Sequence, residues 1–178
     1  MTERPLWAPW RSTYVGGARD RSCFLCAAAA RDQEHSPLLL ALLPEALAML
    51  NAFPYSPGHV LISPRRHVAD ILEVSRSETE QAMTLLRSTL EAERQLMAPA
   101  GFNIGVNLGT VAGAGVADHL HIHVVPRWTG DTNFMPVLAG ARVISQALAD
   151  TADALRPLLN ERLAAEMTSP AAQADVES

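Results

Sequence analysis

Three histidines alternate with apolar residues in His119-Leu120-His121-Ile122-His123. Side chains two residues apart on a strand project from one face, about 6–7 Å apart. The spacing therefore predicts a row of imidazoles, with Leu120, Ile122 and Val124 turned together into a core. A lone histidine is commonly a satisfied core or surface residue, but three at strict alternation need a shared reason. Two reasons are chemically natural. Neutral imidazoles ligate metal ions, and an imidazole near neutral pH acts as nucleophile or acid–base catalyst. A ring nitrogen can attack phosphorus and form a phosphoramidate if a carbonyl holds the other ring nitrogen and so fixes the tautomer. A further imidazole in the row can then hydrogen-bond or protonate the leaving group.

A second set of residues suits metal chemistry. Cys23 and Cys26 are spaced C-x-x-C, which in a reducing compartment suggests a metal or redox pair more than a structural disulfide. Tetrahedral zinc usually takes two more ligands from elsewhere, and His67 and His119 are the candidates; otherwise the cysteines are small core residues. Gly113-Ala114-Gly115-Val116, just before the histidines, offers backbone N–H groups that could cradle phosphate oxygens, although such a loop is more commonly a plain turn. Asn107 adds a neutral donor nearby.

These residues need elements to hold them. The apolar runs 38–43 and 46–51, split by Pro44-Glu45, read as a hairpin of core strands. Residues 52–58 carry Pro54, Pro57 and Gly58 and form a loop, and 59–63 is a third strand closed by Pro64. Ser75 and Glu78 are spaced as a capping box before the clearest amphipathic helix, 77–97. Residues 102–108 alternate as a strand, 109–115 is a glycine loop, and 119–125 is the last strand, stopped by Pro126. A second helix covers 144–167, with a kink expected at Pro157. A short helix is expected at 27–31.

The 178 residues bound the answer to one domain with ragged ends: an arm over 1–22, a domain over 23–167 and a polar, disordered tail over 168–178. No apolar stretch approaches the roughly 20 residues that span a bilayer, and the N-terminus lacks a secretory h-region, so no membrane association and a cytoplasmic location are expected. The net charge is -5 and the 14 basic residues form no run, which argues against nucleic acid as a partner.

His119-Leu120-His121-Ile122-His123-Val124-Val125 resembles the signature of the histidine triad (HIT) superfamily. The resemblance extends over about 47–143, through Leu50-Asn51, Pro57-Gly58-His59-Val60-Leu61-Ile62 and Pro64-Arg65-Arg66-His67. Pro126-Arg127-Trp128-Thr129-Gly130-Asp131 and the opening Leu6-Trp7-Ala8-Pro9-Trp10-Arg11 are similar to a bacterial branch that includes diadenosine tetraphosphate phosphorylases. The resemblance implies an α+β, HIT-like fold: a five-stranded antiparallel sheet with two main helices, as a homodimer whose sheets join. It implies His121 as the nucleophile, His123 at the phosphate and leaving group, His59 as a supporting histidine, and zinc on Cys23, Cys26, His67 and His119. It also implies a nucleotide site formed by Leu50 and Leu61 as apolar base walls, Asn51 at the ribose, Asn107 on the phosphate side, and Gly115, Val116 and Trp128. Gly115 departs from the family pattern, where many members carry Gln or Ser four residues before the first histidine. Only backbone N–H groups serve the substrate there, and the acceptor, water or phosphate, stays open.

Three readings follow. The first is an enzyme that splits or transfers a nucleoside monophosphate from dinucleoside polyphosphates or adenylylated small molecules. The second is a nucleotide-binding regulatory module with little turnover. The third is a zinc-only structural or redox protein, which leaves His121, His123 and Asn51 without a role.

Overall fold

The computed structural model describes residues 23–30, 36–113, 118–131 and 147–168. The expected arm, the loop residues Gly115 and Val116, the start of the second helix and nearly all of the tail lie outside them. In chain order the elements are α1 (Phe24–Ala29), β1 (Leu39–Leu42), β2 (Ala46–Leu50), β3 (Val60–Pro64), a 3-10 turn (Ile71–Glu73), α2 (Arg76–Met97), β4 (Gly101–Val106), β5 (Ile122–Arg127) and α3 (Leu148–Thr168). The strands form one antiparallel sheet in the order β1-β2-β3-β5-β4.

Both sheet faces are covered, which is why β2 reads as an unbroken apolar run rather than an alternating one. On one face Leu40, Ala48, Leu50, Val60, Ile62 and Val124 pack against Leu85 and Leu86 of α2 and Leu155 and Leu159 of α3. Each fully buried leucine there contributes roughly 1.5–3 kcal/mol. On the other face Leu39, Leu47, Met49 and Leu61 pack under Leu25, Ala28 and Ala29 of α1. That second face carries the histidines. Among the described residues no helix is long and apolar enough to cross a membrane.

The capping box at the start of α2 is formed: Ser75 accepts from the Glu78 N–H, and the Glu78 carboxylate accepts from the Ser75 N–H. Arg66 makes a bidentate pair with the same carboxylate at 2.9 Å, fixing the residue next to His67. The first helix begins at Phe24 rather than Ala27, so it places both cysteines at its start. Pro157 lies within α3, which is helical on both sides of it.

The histidine strand is shifted from its sequence-based bounds. His119 and His121 precede β5, which starts at Ile122, and Pro126 lies inside it, paired with Phe102. The register explains both ends. Arg127 gives its carbonyl to the Ala100 N–H on the β4 side, so position 126 faces the β3 side. There the ladder has ended at Val60↔Val124, the missing proline N–H leaves no strand partner unmet, and Ser56 donates to the Pro126 carbonyl at 2.8 Å. At the other end Pro64 closes β3, and the Leu120 N–H turns away to the Val68 carbonyl at 2.7 Å.

Candidate active site and metal centre

The five histidines among the described residues meet on the α1 face of the sheet. His119 is fully buried, and its Nε2–H donates to the Pro64 carbonyl at 3.0 Å. This leaves the Nδ1 lone pair facing the cysteines, 3.1 Å from Cys23 Sγ and 3.4 Å from Cys26 Sγ. His67 Nδ1 lies 3.2 Å from Cys26 Sγ, and its other nitrogen is 3.9 Å from Asp118. All four ligand atoms fall within 4.8 Å of one another. Metal–sulfur bonds of about 2.3 Å and metal–nitrogen bonds of about 2.0–2.1 Å give a tetrahedral S···N edge of about 3.5 Å, so the four donors fit one metal ion. Burial, followed by the Cys23 thiol, pushes the Cys26 thiol up to about 11, and a bound metal would displace that proton.

His121 is likewise buried, and its Nδ1–H donates to the carbonyl of His119 at 2.8 Å. The tautomer is thereby fixed with the lone pair on Nε2. His123 stands edge-on to it, ring centroids 4.9 Å apart. A chain of hydrogen bonds sets its tautomer too. The Tyr55 N–H donates to His59 Nδ1 at 3.1 Å, so the His59 proton is on Nε2, which lies 3.0 Å from His123 Nδ1. His123 in turn carries its proton on Nε2. The Asn107 amide is 3.5 Å from that atom and meets an N–H there with its oxygen, since the two ends of an amide exchange by a flip. Burial depresses the pKa of His119 and His121; burial and then His121 bring His123 down to about 4. All three are therefore neutral near pH 7.

Directly opposed residues of antiparallel strands share a face, so Met49, Leu61, His123 and Gly105 form a row across β2, β3, β5 and β4. A side chain on Gly105 would meet nothing within 4 Å, leaving open floor beside His123. Asn51 bonds inward, its Oδ1 accepting from the Phe53 N–H at 2.9 Å and its Nδ2 lying 3.3 Å from His59 Nδ1.

Two of the expected nucleotide residues stand elsewhere. Leu50 pairs with Val60 and is buried in the core beneath α2 and α3, on the opposite face from Leu61. The residue on Leu61's face is Met49, because an antiparallel register fixes which of two neighbours points to a given side. Trp128 lies past the far end of β5, ~16 Å along the strand from His123, with its Nε1–H on the Met97 carbonyl at 3.1 Å. Two residues were not anticipated. Tyr55 stacks on His59 with centroids 4.8 Å apart, and Ser63 donates to the Leu120 carbonyl at 2.8 Å. Each sits beside a recognised histidine motif, but nothing in residue type or spacing marks it.

The HIT domain family model matches residues 34–130. The chain is 36% identical over 154 residues to an AP-4-A phosphorylase of Mycobacterium tuberculosis (strain H37Rv), covering 82% of this chain and 79% of that one. It is 33% identical over 84 residues to an asymmetrical bis(5'-nucleosyl)-tetraphosphatase of Schizosaccharomyces pombe, covering 47% and 46%. Among solved structures, a zinc-bound histidine triad family protein from Mycobacterium smegmatis superposes with a TM-score of 0.63 at 24% identity, over 81% of this chain and 97% of that one, a likeness of fold.

Proposed function

The chain belongs to the HIT domain family, and on that premise we propose that it is a nucleotidyl hydrolase or transferase cleaving dinucleoside polyphosphates through a covalent nucleotidyl-His121 intermediate. The observation that carries this reading is the His121 Nδ1–H bond to the His119 carbonyl. It leaves Nε2 as a neutral nucleophile on a ring 4.9 Å from that of His123. The names of the phosphorylase and tetraphosphatase relatives support the substrate class.

The His121 Nε2 lone pair forms a bond to the α-phosphorus as the bridging P–O bond breaks, and the electron pair departs on the polyphosphate oxygen. His123 Nε2–H, oriented by His59, hydrogen-bonds that oxygen as its charge grows. In the second step an oxygen of water or orthophosphate attacks the same phosphorus. The N–P bond breaks, its electron pair returns to His121 Nε2, and a proton lost by an attacking water passes to solvent. Asn107 and the backbone of Gly115 and Val116 serve the phosphates, Asn51 the ribose, and Leu61 with Met49 the base. Cys23, Cys26, His67 and His119 hold zinc, which suits two thiolates and two imidazoles. A zinc ion bound there would supply a structural cross-link, its charge balanced by the two thiolates. The same reading makes the protein a homodimer, its sheets joined at the outer edge of β4, where Ile104 is exposed.

The test is mass spectrometry of products from diadenosine tetraphosphate with and without inorganic phosphate. ATP with ADP signals phosphorolysis, and ATP with AMP signals asymmetric hydrolysis. A quenched reaction should show AMP on His121, and His121→Ala should lose roughly 10³-fold or more in kcat. AMP on another residue, with activity intact in the variant, would sink the proposal.

A further inference from the structure

Ser63 is fully buried at the end of β3, on the face that carries Leu61, and its hydroxyl lies 2.8 Å from the Leu120 carbonyl. The ladder explains why a hydroxyl is needed there. Arg65 gives its N–H to Glu45 on the β2 side, so by alternation residue 64 faces β5. Continuing the register from Ile62↔Ile122 sets Pro64 opposite Leu120 as a pair that would exchange both ladder bonds. Proline has no N–H to give. The Leu120 carbonyl therefore loses its strand donor at the point where the chain turns to present His119 and His121.

We infer that Ser63 is a positioning residue for the nucleophile: its hydroxyl supplies the hydrogen that Pro64 lacks and pins the turn over residues 119–121 to β3. That turn has two further anchors, the Leu120 N–H on Val68 and the His119 ring on Pro64. Of the three, only Ser63 holds the peptide that joins Leu120 to His121. When that peptide swings, His121 moves relative to the His119 carbonyl that fixes its tautomer. The hydroxyl also reaches the Pro64 carbonyl at 2.9 Å, an acceptor already served by His119, so its distinctive partner is Leu120.

The consequence for turnover rests on the proposed nucleotidyl transfer; the consequence for the tautomer does not. In the full chain, Ser63→Cys keeps the approximate volume and loses the strong donor, while Ser63→Thr keeps the donor. Two quantities are measured: kcat and KM for diadenosine tetraphosphate with phosphate, and the His121 tautomer by long-range ¹H–¹⁵N correlation. The Cys variant should lose roughly tenfold to a hundredfold in kcat, the scale of a small misplacement of a reacting group. Its KM should change less than about twofold, since binding contacts are untouched. Its His121 should shift from the Nδ1–H form to a mixture, while the Thr variant keeps the wild-type rate within about threefold and the wild-type tautomer. Wild-type kcat and tautomer in the Cys variant, or equal losses in both variants, would overturn the assignment. A tautomer shift in a protein that cleaves no dinucleoside polyphosphate would uphold the role of Ser63 and remove the proposed activity instead.

Discussion

Burial and the adjacent His121 bring the pKa of His123 from 6.5 down to about 4, so the group proposed to face the leaving oxygen stays neutral through the range where an ordinary histidine titrates. Between these two values the unfolded chain binds the proton and the folded chain does not. The contribution of this group to stability is therefore full above pH 6.5 and is lost as the pH falls toward 4. For turnover, the His59-to-His123 hydrogen bond needs an unprotonated His123 Nδ1, so the acidic limb of kcat should lie below pH 6. A pH–rate profile checks this, and an acidic limb at 6.5 would show that His121 or His123 titrates as a solvated imidazole. The triad and the four-ligand set were legible in the sequence because alternation and C-x-x-C spacing carry geometry. The hydrogen-bond chain was not. It depends on a backbone N–H, that of Tyr55, which every residue type but proline supplies, and the separate Ser63 bond to Leu120 is met only through the register.

Among the elements, the turn into β3 depends most on one residue. Gly58 has φ +76°, and a Cβ there would meet the Met97 sulfur at 2.9 Å and Pro126 at 3.3 Å. Glycine is needed twice, for the left-handed backbone and for the close approach of the end of α2. Gly58→Ala should cost about 1–3 kcal/mol, read as a lower urea midpoint with an unchanged slope. Because His59 is the next residue, activity should fall with it. An unchanged midpoint would mean that neither the left-handed backbone nor the Met97 contact carries a cost for a side chain there. The elements themselves were legible where the pattern is local, as in the hairpin and the capped helix. The bounds of β5 were not, because they are set by its neighbours: β3 is too short to reach Pro126, and Pro64 cannot pair with Leu120. Leu50 was misread for a related reason. Both it and Met49 are apolar, and only the pairing with β3 decides which of them faces Leu61.

At the scale of the molecule, the apolar runs already implied a sheet covered on both faces, but not the unequal weight of the two covers. The α2 and α3 face holds the larger core, while the other face is closed by the six residues of α1. So short a helix is unstable alone, and the cysteines at its start meet the segment after β3 and the turn before β5 in a four-residue cluster that could hold a metal ion. The proposed zinc thus ties three distant parts of the chain together over the histidine face and leaves the helix-backed core independent of it. An ion present at about a thousand times its dissociation constant stabilises the folded state by roughly 4 kcal/mol. At about 2–4 °C per kcal/mol for a chain of this size, a strong chelator should lower Tm by roughly 8–16 °C. Far-UV circular dichroism at 25 °C should change little, because the helix-backed core does not contain the ligands. Cys26→Ser should show the lowered Tm without chelator and respond little when chelator is added. Loss of the whole circular dichroism signal on chelation would show instead that the metal carries the fold, and an unchanged Tm would remove the cross-link from the account.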